Sequence, residues 1–286
     1  MISDITLGQF FPGYSPIHRL DPRTKIILTF LFITAVFVAN NPLAFLVLTL
    51  TAFTLVVLSQ ISVSVVLKGI KPIMLIILFT ALINVFMTKG EGEPLVEFWV
   101  IKIYLEGIVR AVFMALRVLV LIVGTSVLLT YTTSPIALTD GLESLLSPLK
   151  KIGAPVHTFA MMMSIALRFI PTLVEETEKI MNAQKSRGAD FTQGSLVKRA
   201  KALVPLLIPL IISSFKRAEE LATAMECRCY RGDKNRTKLV KLEYKMRDFV
   251  AMLLLLALLA ACICLAIIPY QTELSGWIFD VIFYKI

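Results

Sequence analysis

Two arginines stand out by what surrounds them. Arg187 closes the run Ala183-Gln184-Lys185-Ser186-Arg187-Gly188, and Arg228 closes a weaker echo forty-one residues later, Cys227-Arg228-Cys229. At that offset Glu178/Glu219, Ile180/Leu221, Ala183/Ala224 and Arg187/Arg228 match. A guanidinium is a planar fork of donors that pairs bidentately with a carboxylate, a geometry lysine does not reproduce. Two helix ends of matched chemistry therefore point to docking. For one copy alone, ordinary helix punctuation is the alternative, because a C-terminal cation favours the helix dipole and glycine permits a left-handed cap. Arg228 is harder to explain that way, since Cys229 stands where the glycine would be.

Other chemistry is sparse. The chain has no G-x-x-x-x-G-K-[ST] phosphate loop, so it is not expected to bind ATP in that manner. His18 and His157 are its only histidines and neither sits in an H-E-x-x-H or H-x-E arrangement, so both read as structural hydrogen-bonding groups. The four cysteines form two C-x-C pairs, Cys227/Cys229 and Cys262/Cys264, without a third or fourth zinc ligand nearby; reduced, structural thiols and no metal are expected. No carboxylate falls inside a confident span, which weighs against a carrier driven through acidic ion sites. An enzyme is not expected.

The elements that must position the two arginines belong to a membrane protein. Of 286 residues, 57% are hydrophobic and 17% charged, and the mean hydropathy is +0.81, more apolar surface than a soluble domain could bury. Of the 29 Lys and Arg, 19 lie between Tyr131 and Arg247 against 11 acidic residues, a net +8 of the chain's +9. By the positive-inside rule that block is expected in the cytoplasm. Lacking an aromatic-basic signature and lying between apolar spans, it is not expected to bind nucleic acid.

The expected fold class is an all-α integral membrane protein with about five transmembrane helices plus three amphipathic cytoplasmic coupling helices. Residues 1–130 would form an N-terminal membrane region with four spans, 131–247 the coupling region and 248–286 a last span with an interfacial tail. The lead-in holds an interfacial pair, Phe10-Phe11. The first apolar run begins at Ile26, after three basic residues and without a small-x-small site, so it is expected to be retained as a span. Spans are expected at Ile26–Ala39, Leu43 to about Leu58, Pro72–Phe86, Gly107–Thr130 and Phe249–Pro269, with an acidic outer loop from Thr88 to Leu105 and an aromatic tail of Trp277, Phe279, Phe283 and Tyr284 left outside. In the fourth span, Arg110 can snorkel to the interface, whereas Arg117 should face protein or water.

Ser134-Pro135 is a helix start, and leucines 138, 142, 145, 146 and 149 repeat at helical spacing up to Lys150-Lys151-Ile152-Gly153. A second helical pattern runs from Pro155 to Arg187, with Pro171 expected to kink it. It begins apolar and ends charged, so it could start in the bilayer and end in the cytoplasm. A third, from Leu196 to Arg228, carries Pro205 and Pro209 and should be bent and partly embedded.

At these residues the sequence resembles the transmembrane T component (CbiQ-like family) of energy-coupling factor transporters, a branch of the ABC transporters. The resemblance rests on Pro12-Gly13-Tyr14-Ser15-Pro16-Ile17-His18-Arg19-Leu20-Asp21-Pro22-Arg23, Thr132-Thr133-Ser134-Pro135, Ala166-Leu167-Arg168-Phe169-Ile170-Pro171 and Ala183–Gly188. It implies a non-catalytic scaffold in the cell membrane that couples ATP hydrolysis by two ATPase subunits to vitamin or micronutrient uptake through a substrate-binding S component. ATP and Mg would be held by the partner subunits and no cofactor by this chain. It further implies that Ser186, Arg187, Gly188 and Cys227, Arg228, Cys229 dock on the ATPases. Both triplets depart from the family's Ala-Arg-Gly pattern at the first position, and the second also lacks its glycine. Leu142, Leu145, Met163 and Leu167, on apolar faces of the first two coupling helices, are candidates for the S-component surface. The runner-up is a stand-alone carrier or channel with Arg117 lining a pathway.

Overall fold

The computed structural model describes residues 10–88, 96–98, 101–189, 196–230, 232 and 242–267. The aromatic tail around Trp277, Glu91 and Glu93 of the acidic loop, and residues 233–241 lie outside them. The described residues fall into two compact units, one of Phe10–Ser134 with the stretch from Leu242 onward, the other beginning at Pro135.

In the first unit, α1 (Pro22–Val38), α2 (Pro42–Ser59), α3 (Val63–Met87), α4 (Leu105–Thr125) and α8 (Met246–Ile267) form a helical bundle. The start of α1 was hidden inside what the sequence suggested was lead-in. Asp21 caps the helix through Arg23 N–H at 2.9 Å, with Pro22 in the first turn, where its missing N–H costs nothing. Asp248, in the first turn of α8, reaches back to the residue before that helix and also across to α1. One oxygen accepts from Lys245 N–H and the other from Asp21 N–H, each at 2.8 Å. A single carboxylate thus ties the N-termini of α1 and α8 together. At their other ends Asn41 donates to the Leu265 carbonyl, so the two helices run parallel.

α4 runs against α1. Arg117 Nη2 donates to the Ala39 carbonyl (2.7 Å) and to Asn40 Oδ1 (3.3 Å), with its guanidinium 5.2 Å from the Phe45 ring centroid. Gly124 lets Phe32 pack so closely that a methyl group there would overlap the ring. After a π turn (Ser126–Thr130), Lys25 Nζ donates to the carbonyls of Thr132 at 2.7 Å and His18 at 3.2 Å. Phe32, Val36, Leu48, Leu128 and Cys262 are buried at the centre. Arg117 therefore faces protein, as expected of a charge within an apolar span, and its Nη2 serves the end of α1.

His18 is held between Ser15 Oγ (2.6 Å) and the Phe11 carbonyl (2.9 Å), a structural role. Phe11 packs edge-on against Tyr131, and its N–H donates to the Tyr131 carbonyl, so it is tied to its own bundle. The third span starts earlier than expected. Ser62 precedes a helix that begins at Val63 and runs through Pro72, because the apolar run before the proline is itself helical and one lost backbone bond does not end it. The Thr88–Leu105 loop contains a two-stranded antiparallel hairpin, β1 (Val96–Phe98) with β2 (Ile101–Ile103).

Among the described residues, five helices are long and apolar enough to cross a membrane: α2, α3, α4 with its π turn, α8, and α6 (Val156–Ser186). Four coincide with expected spans. α6 replaces the first expected span in that set, since α1 has 17 residues, the lower end of spanning length. α3 exposes Leu75, Phe79 and Met87, the all-round apolar surface of a helix that lipid can solvate.

The second unit holds α5 (Pro135–Leu145), a 3₁₀ turn (Ser147–Ile152), α6 and α7 (Leu196–Cys227). α5 starts at Pro135 as read from the sequence but ends earlier, because Pro148 has no N–H to continue the α-helical ladder; the glycine stop at Gly153 holds, with φ +87°. Its buried residues are Thr139, Gly141 and Glu143, and Glu143 meets His157 of α6 at 2.9 Å. α6 and α7 run through Pro171, Pro205 and Pro209 as continuous helices.

Candidate docking ends of two long helices

Backbone bonds decide how each arginine is presented. At the end of α6, Gly188 N–H donates to the Lys185 carbonyl (2.9 Å) and Ala189 N–H to the Gln184 carbonyl (3.0 Å). This reciprocal pair is a Schellman cap, which needs a left-handed residue just past the helix; Gly188 supplies it with φ +85°. At the end of α7, Cys229 N–H donates to the Glu226 carbonyl (2.9 Å) and Tyr230 N–H to the Met225 carbonyl (3.1 Å). Every donor and acceptor is displaced by the same forty-one residues. Cys229 takes the left-handed position, at φ +57°. Such a conformation costs a residue with a Cβ about 1–2 kcal/mol, so the closed turn is kept in the second copy against the preference of its side chain.

The consequence falls on the residue between. Arg187 and Arg228 occupy the same place in the same turn, and Arg187 N–H and Arg228 N–H donate to Gln184 and Met225 at 3.1 Å each. Both side chains are exposed, as are Ser186, Gly188, Cys227 and Cys229. Among the described residues neither guanidinium has an ion-pair partner. Each is a free fork held at the end of a rigid helix, beside the negative end of its dipole, able to receive a carboxylate.

The family described as cobalt transport protein (CbiQ) matches residues 13–239. A protein of Clostridium kluyveri named energy-coupling factor transporter transmembrane protein EcfT is 50% identical over 268 residues, covering 94% of this chain and 97% of its own. This chain belongs to that family. Proteins of the same name from Ruminiclostridium cellulolyticum (55% over 249 residues, 87% of this chain and 92% of that one) and Bacillus subtilis (50% over 262 residues, 91% and 98%) are similar along almost their whole length. The chain is thus a membrane component of an energy-coupling factor transporter and is not itself catalytic.

Within this EcfT family member, the remaining sequence-derived site residues lie away from the arginine ends. On α5, Leu142 is exposed and Leu145 half-buried; on α6, Met163 is exposed and Leu167 half-buried. Two groups that the sequence reading passed over join α6 to α7. Glu176 accepts from Ser213 Oγ and, at 3.0 Å, from Arg217 Nη2. The offset of forty-one relates Glu176 to Arg217 too, and opposite charges at equivalent positions of two copies were the available signal.

Proposed function

We propose that this chain is the non-catalytic scaffold of an importer in which two ATPase subunits, holding ATP and Mg, drive uptake of a vitamin or similar micronutrient through a membrane-embedded S component. The observation that carries this reading is the identical closure of α6 and α7 around one exposed arginine each. Ser186-Arg187-Gly188 and Cys227-Arg228-Cys229 seat on the ATPases on the cytoplasmic side, each guanidinium meeting a carboxylate. Rigid helices then pass nucleotide-driven closure towards the membrane, since a packed element carries displacement without absorbing it. The apolar surface at Leu142, Leu145, Met163 and Leu167 receives the S component.

Reconstitution in lipid vesicles tests this. The chain with ATPases and S component is expected to accumulate labelled substrate on ATP addition, and to accumulate none when any of the three is omitted. Uptake by this chain alone would establish the stand-alone carrier instead. Against that alternative, Arg117 Nη2 donates to the Ala39 carbonyl and to Asn40 Oδ1.

A further inference from the structure

The contact between α6 and α7 occurs at a revealing place. Glu176 meets Ser213 and Arg217, and Tyr230 Oη donates to Met161 Sδ at 3.1 Å, so residue numbers fall on one helix as they rise on the other. The helices are antiparallel. Glu176 and Arg217 are also equivalent residues at the offset that superposes the two capped ends. Contact between equivalent positions of two antiparallel copies is what a local two-fold axis through the crossing produces. Eleven residues lead from Glu176 to Arg187 and eleven from Arg217 to Arg228, about 16 Å of helix each at 1.5 Å per residue. The arginines therefore lie on opposite sides of the crossing, equally far from it.

Burial of apolar side chains along α7 does little to fix that register. α7 exposes Leu203, Val204, Leu207, Ile208, Ile211, Ile212 and Phe215, and among its described residues only Leu206 is a buried hydrophobic. Apolar contacts of this kind tolerate sliding, whereas a directional charge pair with a hydroxyl does not. A slip of one helical turn would move one arginine about 5.4 Å relative to the other. Two sites engaged at once reinforce each other only while their spacing is matched.

We propose that the Glu176–Ser213–Arg217 junction is the positioning element that locks α6 against α7 and so sets the span between the two docking arginines. The proposal rests on the docking reading above. The Glu176 and Arg217 side chains are 23% and 41% exposed, so the pair contributes little to stability and its variants should fold.

The test uses the complete complex of this chain, both ATPases and the S component in vesicles, with Glu176→Arg, Arg217→Glu and the two combined. Each single variant is expected to retain bound ATPase but to lower uptake per ATP hydrolysed at least fivefold. The double variant, with the pair reversed, should recover to within about twofold of wild type. Unchanged coupling in the single variants, or a double variant as impaired as they are, would overturn the proposal. Absence of ATPases from the wild-type complex would overturn the docking reading and this proposal with it.

Discussion

Cys229 is where the chemistry of a single residue and the geometry demanded of it disagree most. Its left-handed backbone completes the α7 cap in the same way that Gly188 completes that of α6. Cys229→Gly should accordingly stabilise the α7 end by about 1 kcal/mol, read as an upward shift of the thermal midpoint in detergent, with ATPase binding retained. Gly188→Val forces a β-branched side chain into the same conformation and should cost about 1–2 kcal/mol, read as a fall in the midpoint and faster amide exchange at Lys185–Ala189. The arginines themselves were legible from their spacing. The second cap was not, because cysteine is a poor left-handed residue and only the observed bonds reveal that the turn closes. His18 and His157 were legible as hydrogen-bonding groups, since a histidine without nearby ligands or nucleophiles has little else to do.

Helices α1 and α8 show how one carboxylate organises two elements. Asp248 holds Asp21 N–H and Lys245 N–H, and its loss leaves the Asp21 amide unsatisfied at a buried helix start and removes the partner of the exposed Lys245 amide. Asp248→Ala should destabilise the bundle by about 2–4 kcal/mol, combining a lost cap with a lost charge-assisted bond. Asp248→Asn keeps one acceptor oxygen and should lose roughly half as much, both read from thermal unfolding in detergent. Across the bundle, Gly124→Val should cost about 1–3 kcal/mol by driving a side chain into Phe32. Apolar length was enough to locate α2, α4 and α8. It is a poor guide to element starts: the capping role of Asp21-Pro22 depends on the helix that follows, and Pro72 resembles a beginning although its helix starts at Val63. The partnership of residues 21 and 248, separated by most of the chain, has no local signature at all.

Composition settles the class of the whole molecule, since so apolar a chain belongs in a bilayer. The weak forty-one-residue repeat carried more than its few identities suggested, because it also maps the two capped ends onto each other and Glu176 onto Arg217. Side-chain identity differs between the two copies while backbone closure and the crossing point match, which is why the repeat is faint in sequence alone. At this scale the account makes one claim: two equivalent arginine ends each seat one ATPase. Purification of the tagged chain from native membranes in mild detergent, as wild type, Arg187→Ala and Arg228→Ala, tests it most directly by measuring the ATPase subunits retained. Truncating an arginine buried against a carboxylate should cost about 2–5 kcal/mol of binding, so both ATPases are predicted with the wild type and a loss of at least tenfold in the retention of one subunit with each variant. Full retention of both ATPases by both variants, or a wild-type chain that purifies alone, would contradict it.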